Sequence, residues 1–130
     1  MVLLTTDKIE LRSRNDRLLN ISFPEVVFAL EQVKEKLTSS LPLLIDGELV
    51  CLQNAYASHF NSVQTRSRMK NKAKIIKEAT IRPCQWIAFD LPHQKKTYTN
   101  RRHELVSYAH KQYPSFITIM LAKHITMYFQ

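Results

Sequence analysis

Val26, Leu30, Val33 and Leu37 recur at helical spacing, with Glu31, Lys34 and Glu35 turned the other way. The pattern predicts a helix over about 23–38. Ser22-Phe23-Pro24-Glu25 ahead of it reads as a capping box, with Ile21 and Val26 placed as a hydrophobic staple. Pro24 falls in the first turn, where a missing N–H costs little. Leu41 to Ile45 and Glu48 to Leu52 are apolar runs flanking Asp46-Gly47, a pattern that predicts a two-residue hairpin. Lys8 to Arg12 reads as a short strand, followed by a charged turn around Arg14 to Arg17. Ile81 to Phe89 alternates, with Cys84, Trp86 and Ala88 on one face and Gln85, Ile87 and Phe89 on the other. Lys96 to Thr99 and Glu104 to Tyr108 suggest a second hairpin with Asn100 to His103 at its tip. Pro114 and Ser115 open a C-terminal helix, about 115–128, with Phe116, Met120 and Met127 along one side. The expected architecture is α+β: one domain over 1–130, with two β-hairpins in an antiparallel sheet and these two helices.

The chain has 130 residues, enough for one domain with a true core. Its longest apolar run, Phe116 to Ala122, is too short to span a bilayer, and Met1 to Leu4 turns polar too soon for a signal peptide. A soluble cytoplasmic protein with no membrane partner is expected. Cys51 and Cys84 stand far apart in apolar contexts and read as buried free thiols. Gly47 is the only glycine, so there is no glycine-rich phosphate loop, dinucleotide fingerprint or nucleophile elbow.

Charge changes the picture. The net charge of +8 resides in the second half, where Glu78, Asp90 and Glu104 are the only acids after Asn61. The densest stretch, residues 64–77, carries Arg66, Arg68, Lys70, Lys72, Lys74 and Lys77 and no acid. Lys95, Lys96, Arg101 and Arg102 form a second cluster. Such a field attracts polyanions, of which nucleic acid is the commonest. The tract from 64 to 77 is compatible with a strand, with a helix, or with an inserted arm that orders on its partner.

Cys84-Gln85-Trp86-Ile87, then Thr97-Tyr98-Thr99-Asn100, resemble segments of the ComK family of competence transcription factors. Leu41 to Asp46 and the helix from Phe23 fit the same pattern, so the resemblance spans roughly residues 15–125. It implies a transcriptional activator that binds A/T-rich duplex DNA through the minor groove as an oligomer. Asn100, Arg101 and Arg102 at a hairpin tip suit that groove, whose narrow A/T form concentrates negative potential. An ordinary solvated turn accounts for the triplet equally well. Lys95 and Lys96 would touch flanking phosphates.

No enzyme, cofactor or metal is expected from the residues. The five histidines show no zinc spacing, and the three acids of the basic half are too dispersed for a nuclease metal site. Trp86 reads as core. Two alternatives stand beside a double-stranded DNA regulator. One is a nonspecific, single-stranded or RNA binder that stacks bases on Tyr56, Phe60, Tyr98, Tyr108 and Tyr113. The other is an interaction module or homo-oligomer docked through the Phe116–Met127 stripe.

Overall fold

In a computed structural model the described residues are 1–51, 60–92 and 95–112. The expected C-terminal helix, with Phe116, Met120 and Met127, lies outside them, as do Tyr56 and Tyr113. Strands β1 (Val2–Leu4), β2 (Ile9–Leu11), β3 (Leu43–Cys51) and β4 (Cys84–Asp90) form one antiparallel sheet in the order β2-β1-β3-β4. Helices α1 (Pro24–Lys36), α2 (Phe60–Arg68), α3 (Lys72–Ile81) and α4 (Tyr98–Gln112) accompany it. The α+β reading holds, and so does the helix predicted from the Val26–Leu37 spacing.

Alternation along the strands sorts the sheet into two faces. Val2, Leu4, Leu11, Leu43, Ile45, Trp86 and Ala88 point to one side and are buried. Against them pack Val26, Leu30 and Val33 of α1, together with Phe23, Leu37, Leu91 and Leu105. Burial of each such side chain contributes about 1.5–3 kcal/mol. The other face carries Leu3, Glu10, Leu44, Asp46, Glu48, Val50, Gln85, Ile87 and Phe89, none of them fully buried.

The expected Asp46-Gly47 hairpin is corrected: β3 runs unbroken through both residues. A turn of that kind needs positive φ, and Gly47 has none. Glycine is required there for another reason. A Cβ at residue 47 would lie 2.9 Å from the Trp86 indole and inside contact distance of the Ile87 carbonyl. The sheet register also slips between Asp46 and Gly47, a bulge in the β3–β4 pair.

That same register sets Cys51 opposite Cys84 on the core face, and the two form a disulfide. The free-thiol expectation is therefore corrected. Proximity came from strand pairing, which spacing along the chain does not reveal.

The capping box is corrected too. Phe23 is the N-cap of α1 and makes no side-chain cap bond. The Ser22 hydroxyl donates instead to the Ser67 carbonyl at 3.4 Å. Ile21 is exposed and serves as no staple. Glu25 turns inward to the Arg66 guanidinium and accepts from the Cys84 amide at 3.1 Å.

The second hairpin is replaced by α4. Thr97 begins it: its carbonyl accepts from the Arg101 amide at 2.9 Å and its hydroxyl from the Asn100 amide at 3.3 Å. Among the described residues no helix is long and apolar enough to cross a membrane.

Candidate functional site

The loop after β2 organises the open face. The Ser13 amide donates to the Arg17 carbonyl at 2.9 Å, and the Asp16 amide to the Ser13 carbonyl at 3.0 Å. Asp16 adopts φ 62°, a left-handed conformation that Asp tolerates. The tight loop projects Arg14 outward beside the sheet. Beneath it lies a cleft of about 510 Å3, inside the range of small-molecule sites. Leu3 and Leu44 line it with apolar surface; Glu10, Arg12, Ser13, Arg14 and Asp46 supply the polar groups.

Glu10 is bound by Lys8 at 2.8 Å and Arg12 at 2.9 Å. These hydrogen bonds, Lys8 first, hold its carboxyl below the usual range. The pair with Glu10 in turn keeps Arg12 in its charged form, and Arg12 also donates to the Asp16 carbonyl at 3.0 Å. Arg12 is thus committed to structure. Arg14 is exposed and has no ion-pair partner among the described residues. Asp46 and, two positions on, Glu48 are exposed on the same face. Within the cleft, the Arg14 guanidinium, the Asp46 carboxylate and an apolar floor suit a ligand with a phosphate, hydroxyls and a flat ring. Among the described residues no group of three His, Cys, Asp or Glu is arranged to hold a metal ion.

The residues singled out in sequence separate into three groups. Arg66 is buried, its side chain 3% exposed, so it cannot meet a nucleic acid. Arg68, Lys70, Lys72, Lys74 and Lys77 are exposed along α2, its link to α3, and α3. The open question of the tract's conformation resolves into these two helices.

Asn100, Arg101 and Arg102 sit in α4 and do not form a hairpin tip. Arg101 pairs with Asp90 at 2.7 Å and donates to the Lys96 carbonyl at 2.8 Å. Arg102 donates to the Phe89 carbonyl at 3.2 Å. Lys95 and Lys96 are both exposed, and Lys96 pairs with Glu104 at 2.8 Å. These guanidiniums tie α4 to β4, which removes the physical basis for their insertion into a minor groove.

The Arg101 hydrogen bond, ahead of the Leu91 amide, holds the Asp90 carboxyl below its ordinary value despite burial. A carboxyl depressed in the folded state contributes stability above its unfolded pKa, about 3.9, and the contribution is lost as pH falls through the folded value. Asp90→Asn should therefore flatten the acid side of a plot of urea midpoint against pH. A variant as acid-sensitive as the wild type would show that the pair adds nothing to folding.

Arg14, Asp46 and Glu48 were not singled out in sequence. A signal existed: polar residues at alternate positions of an apolar run, Leu44-Ile45-Asp46-Gly47-Glu48, mark one solvated face of a strand. The Asp-Gly turn signal obscured it.

A family model described as ATP dependent DNA ligase domain matches residues 1–127. The bifunctional non-homologous end joining protein LigD of Bacillus subtilis (strain 168) is 41% identical over 83 residues, 64% of this chain and 14% of that protein. This chain is therefore similar to a small part of the length of LigD. These findings overturn the resemblance to ComK, and with it the transcriptional activator, the competence role and the expectation of a protein unconnected with an enzyme.

Proposed function

The chain belongs to the ATP dependent DNA ligase domain family, and from that premise we propose that it forms part of an enzyme that joins DNA ends at the expense of ATP, with the open sheet face as its nucleotide site. The observation that carries this reading is the family match over residues 1–127. The 510 Å3 cleft, which joins Arg14 and Asp46 to an apolar floor, supplies the place for the nucleotide.

The residues fit such a ligand. Leu3 and Leu44 offer a flat apolar floor for a base. Arg14 is placed to pair with a phosphate, for which a guanidinium is well shaped. Asp46, in the cleft lining, accepts hydrogen bonds from sugar hydroxyls. The Glu10–Arg12 pair keeps the wall of the cleft in register with the loop. ATP, when bound, supplies the phosphoanhydride whose cleavage drives formation of the new phosphodiester.

The test is nucleotide binding by titration, alongside ATP-dependent sealing of a nicked duplex by the protein. A charge-assisted hydrogen bond is worth about 1.5–3 kcal/mol, so Arg14→Ala should weaken ATP binding about 10- to 150-fold and leave the melting temperature unchanged. Undiminished ATP affinity in this variant would move the nucleotide away from the cleft.

A further inference from the structure

We propose that Arg17, Arg68, Lys70, Lys72 and Lys74 form one track for the sugar-phosphate backbone of duplex DNA, leading into the nucleotide cleft. This rests on the DNA-joining reading above.

A second cleft, about 370 Å3, lies between the Ser13–Arg17 loop and α2, with Asn15, Arg17, Gln64 and Arg68 on its polar rim. Ser13 lines both clefts, so they adjoin. Arg17 is held in place: its guanidinium donates at 2.8 Å to the Ser67 carbonyl, next to Arg68.

The outward direction of the remaining cations follows from Arg66. Its guanidinium is drawn inside by Glu25, the Ile75 carbonyl and the Cys84 sulfur. With Arg66 inside, Arg68 two residues on lies about 200° round the helix and faces solvent. Lys70 occupies the link, and Lys72 and Lys74 begin α3, whose first turn holds no acid. All four are exposed and lack an ion-pair partner among the described residues.

A run of uncompensated cations on a rigid support is the arrangement that releases counterions from a phosphate backbone. Lysine and arginine side chains spread over two helices and their link meet phosphates, so the track positions DNA without reading its bases. The partner is a polyphosphate strand because the cations are strung over two helices and the loop that also borders the nucleotide cleft.

The experiment compares wild type with the variant Arg68→Gln, Lys70→Gln, Lys72→Gln, Lys74→Gln. Affinity for a nicked duplex is measured by fluorescence anisotropy over a salt series, on A/T-rich and G/C-rich sequences, and ATP affinity is titrated in parallel. The plot of log K against log salt should become shallower by about 0.9 for each phosphate that the variant no longer neutralises. The change should be equal on both sequences, with ATP affinity retained. Arg17→Gln removes a single cation and serves should the fourfold variant melt early. An unchanged slope in both variants, or a weakening confined to one base composition, overturns the track. Failure of wild type to bind ATP would overturn the nucleotide-site reading instead, while the slope still judges the track.

Discussion

Arg66→Ala is expected to lower folding stability by about 3–5 kcal/mol, the range for breaking a buried ion pair from one side. The side chain is 3% exposed and its partner Glu25 19%. The guanidinium joins several elements of the molecule at one point. It faces Glu25 in α1, donates at 3.3 Å to the carbonyls of Ile75 in α3 and Arg82 after it, and lies 5.4 Å from the Phe23 ring centroid. Truncation leaves the Glu25 carboxylate largely enclosed, with the Cys84 amide as its remaining donor among the described residues. The effect should fall on α2 and α3 together. Denaturant melts measure it. Arg66→Lys, which keeps the charge but not the planar fork, should lie between the two. Adding Glu25→Gln to Arg66→Ala should recover part of the loss, because the second change removes the orphaned charge. A cost of Arg66→Ala below about 1 kcal/mol, the worth of an exposed pair, would show that solvent reaches it.

The second large effect is expected at Gly47. Overpacking a filled site costs about 1–3 kcal/mol and occasionally more. Here the obstructing atom is the Ile87 carbonyl oxygen, which cannot move without opening the β3–β4 ladder. Gly47→Ala should therefore cost about 3 kcal/mol. Glu48→Ala, one residue on and exposed on the opposite face, should stay within about 0.5 kcal/mol. Equal melts for the two variants would mean that the strand accommodates a methyl group through the bulge. Because Gly47 also lines the cleft, the alanine variant should bind ATP poorly in proportion to its loss of fold.

Elements that announce themselves by period were legible in the sequence. The stripe of Val26, Leu30 and Val33 located α1, and the alternation of Cys84, Trp86 and Ala88 located β4 and its buried face. What failed were inferences from a short signal whose cause lies elsewhere in the chain. Asp46-Gly47 resembles a turn, but its glycine answers to the indole and carbonyl of a strand far along the sequence. Thr97, Tyr98 and Thr99 favour a strand locally. The Thr97 cap and the Arg101–Asp90 pair make the segment a helix. In the basic tract every second residue looks alike, so the charge pattern does not mark Arg66 as the one turned inward. Val63, three residues before it and packed on the core, shares its helical face and was the available clue.

The resemblance to ComK relied most on Cys84 to Ile87. Those residues alternate because one face of β4 is core. Many unrelated sheets impose that demand, so the segment says much about packing and little about ancestry. The cleft residues were legible only as a break in apolar alternation, which needs the strand to be recognised first.

Trp86 is the sole tryptophan of the chain. Its indole is shielded from water and rests against the main chain of Gly47, a residue that also borders the 510 Å3 cleft. Its fluorescence therefore comes from one known place. The emission should shift to the red as β3 and β4 part, giving an optical record of unfolding free of other indole signals. A ligand settling over Gly47 would perturb the same chromophore through a single layer of backbone. The close approach that excludes a methyl group at residue 47 thus equips the protein with its own reporter, without a label.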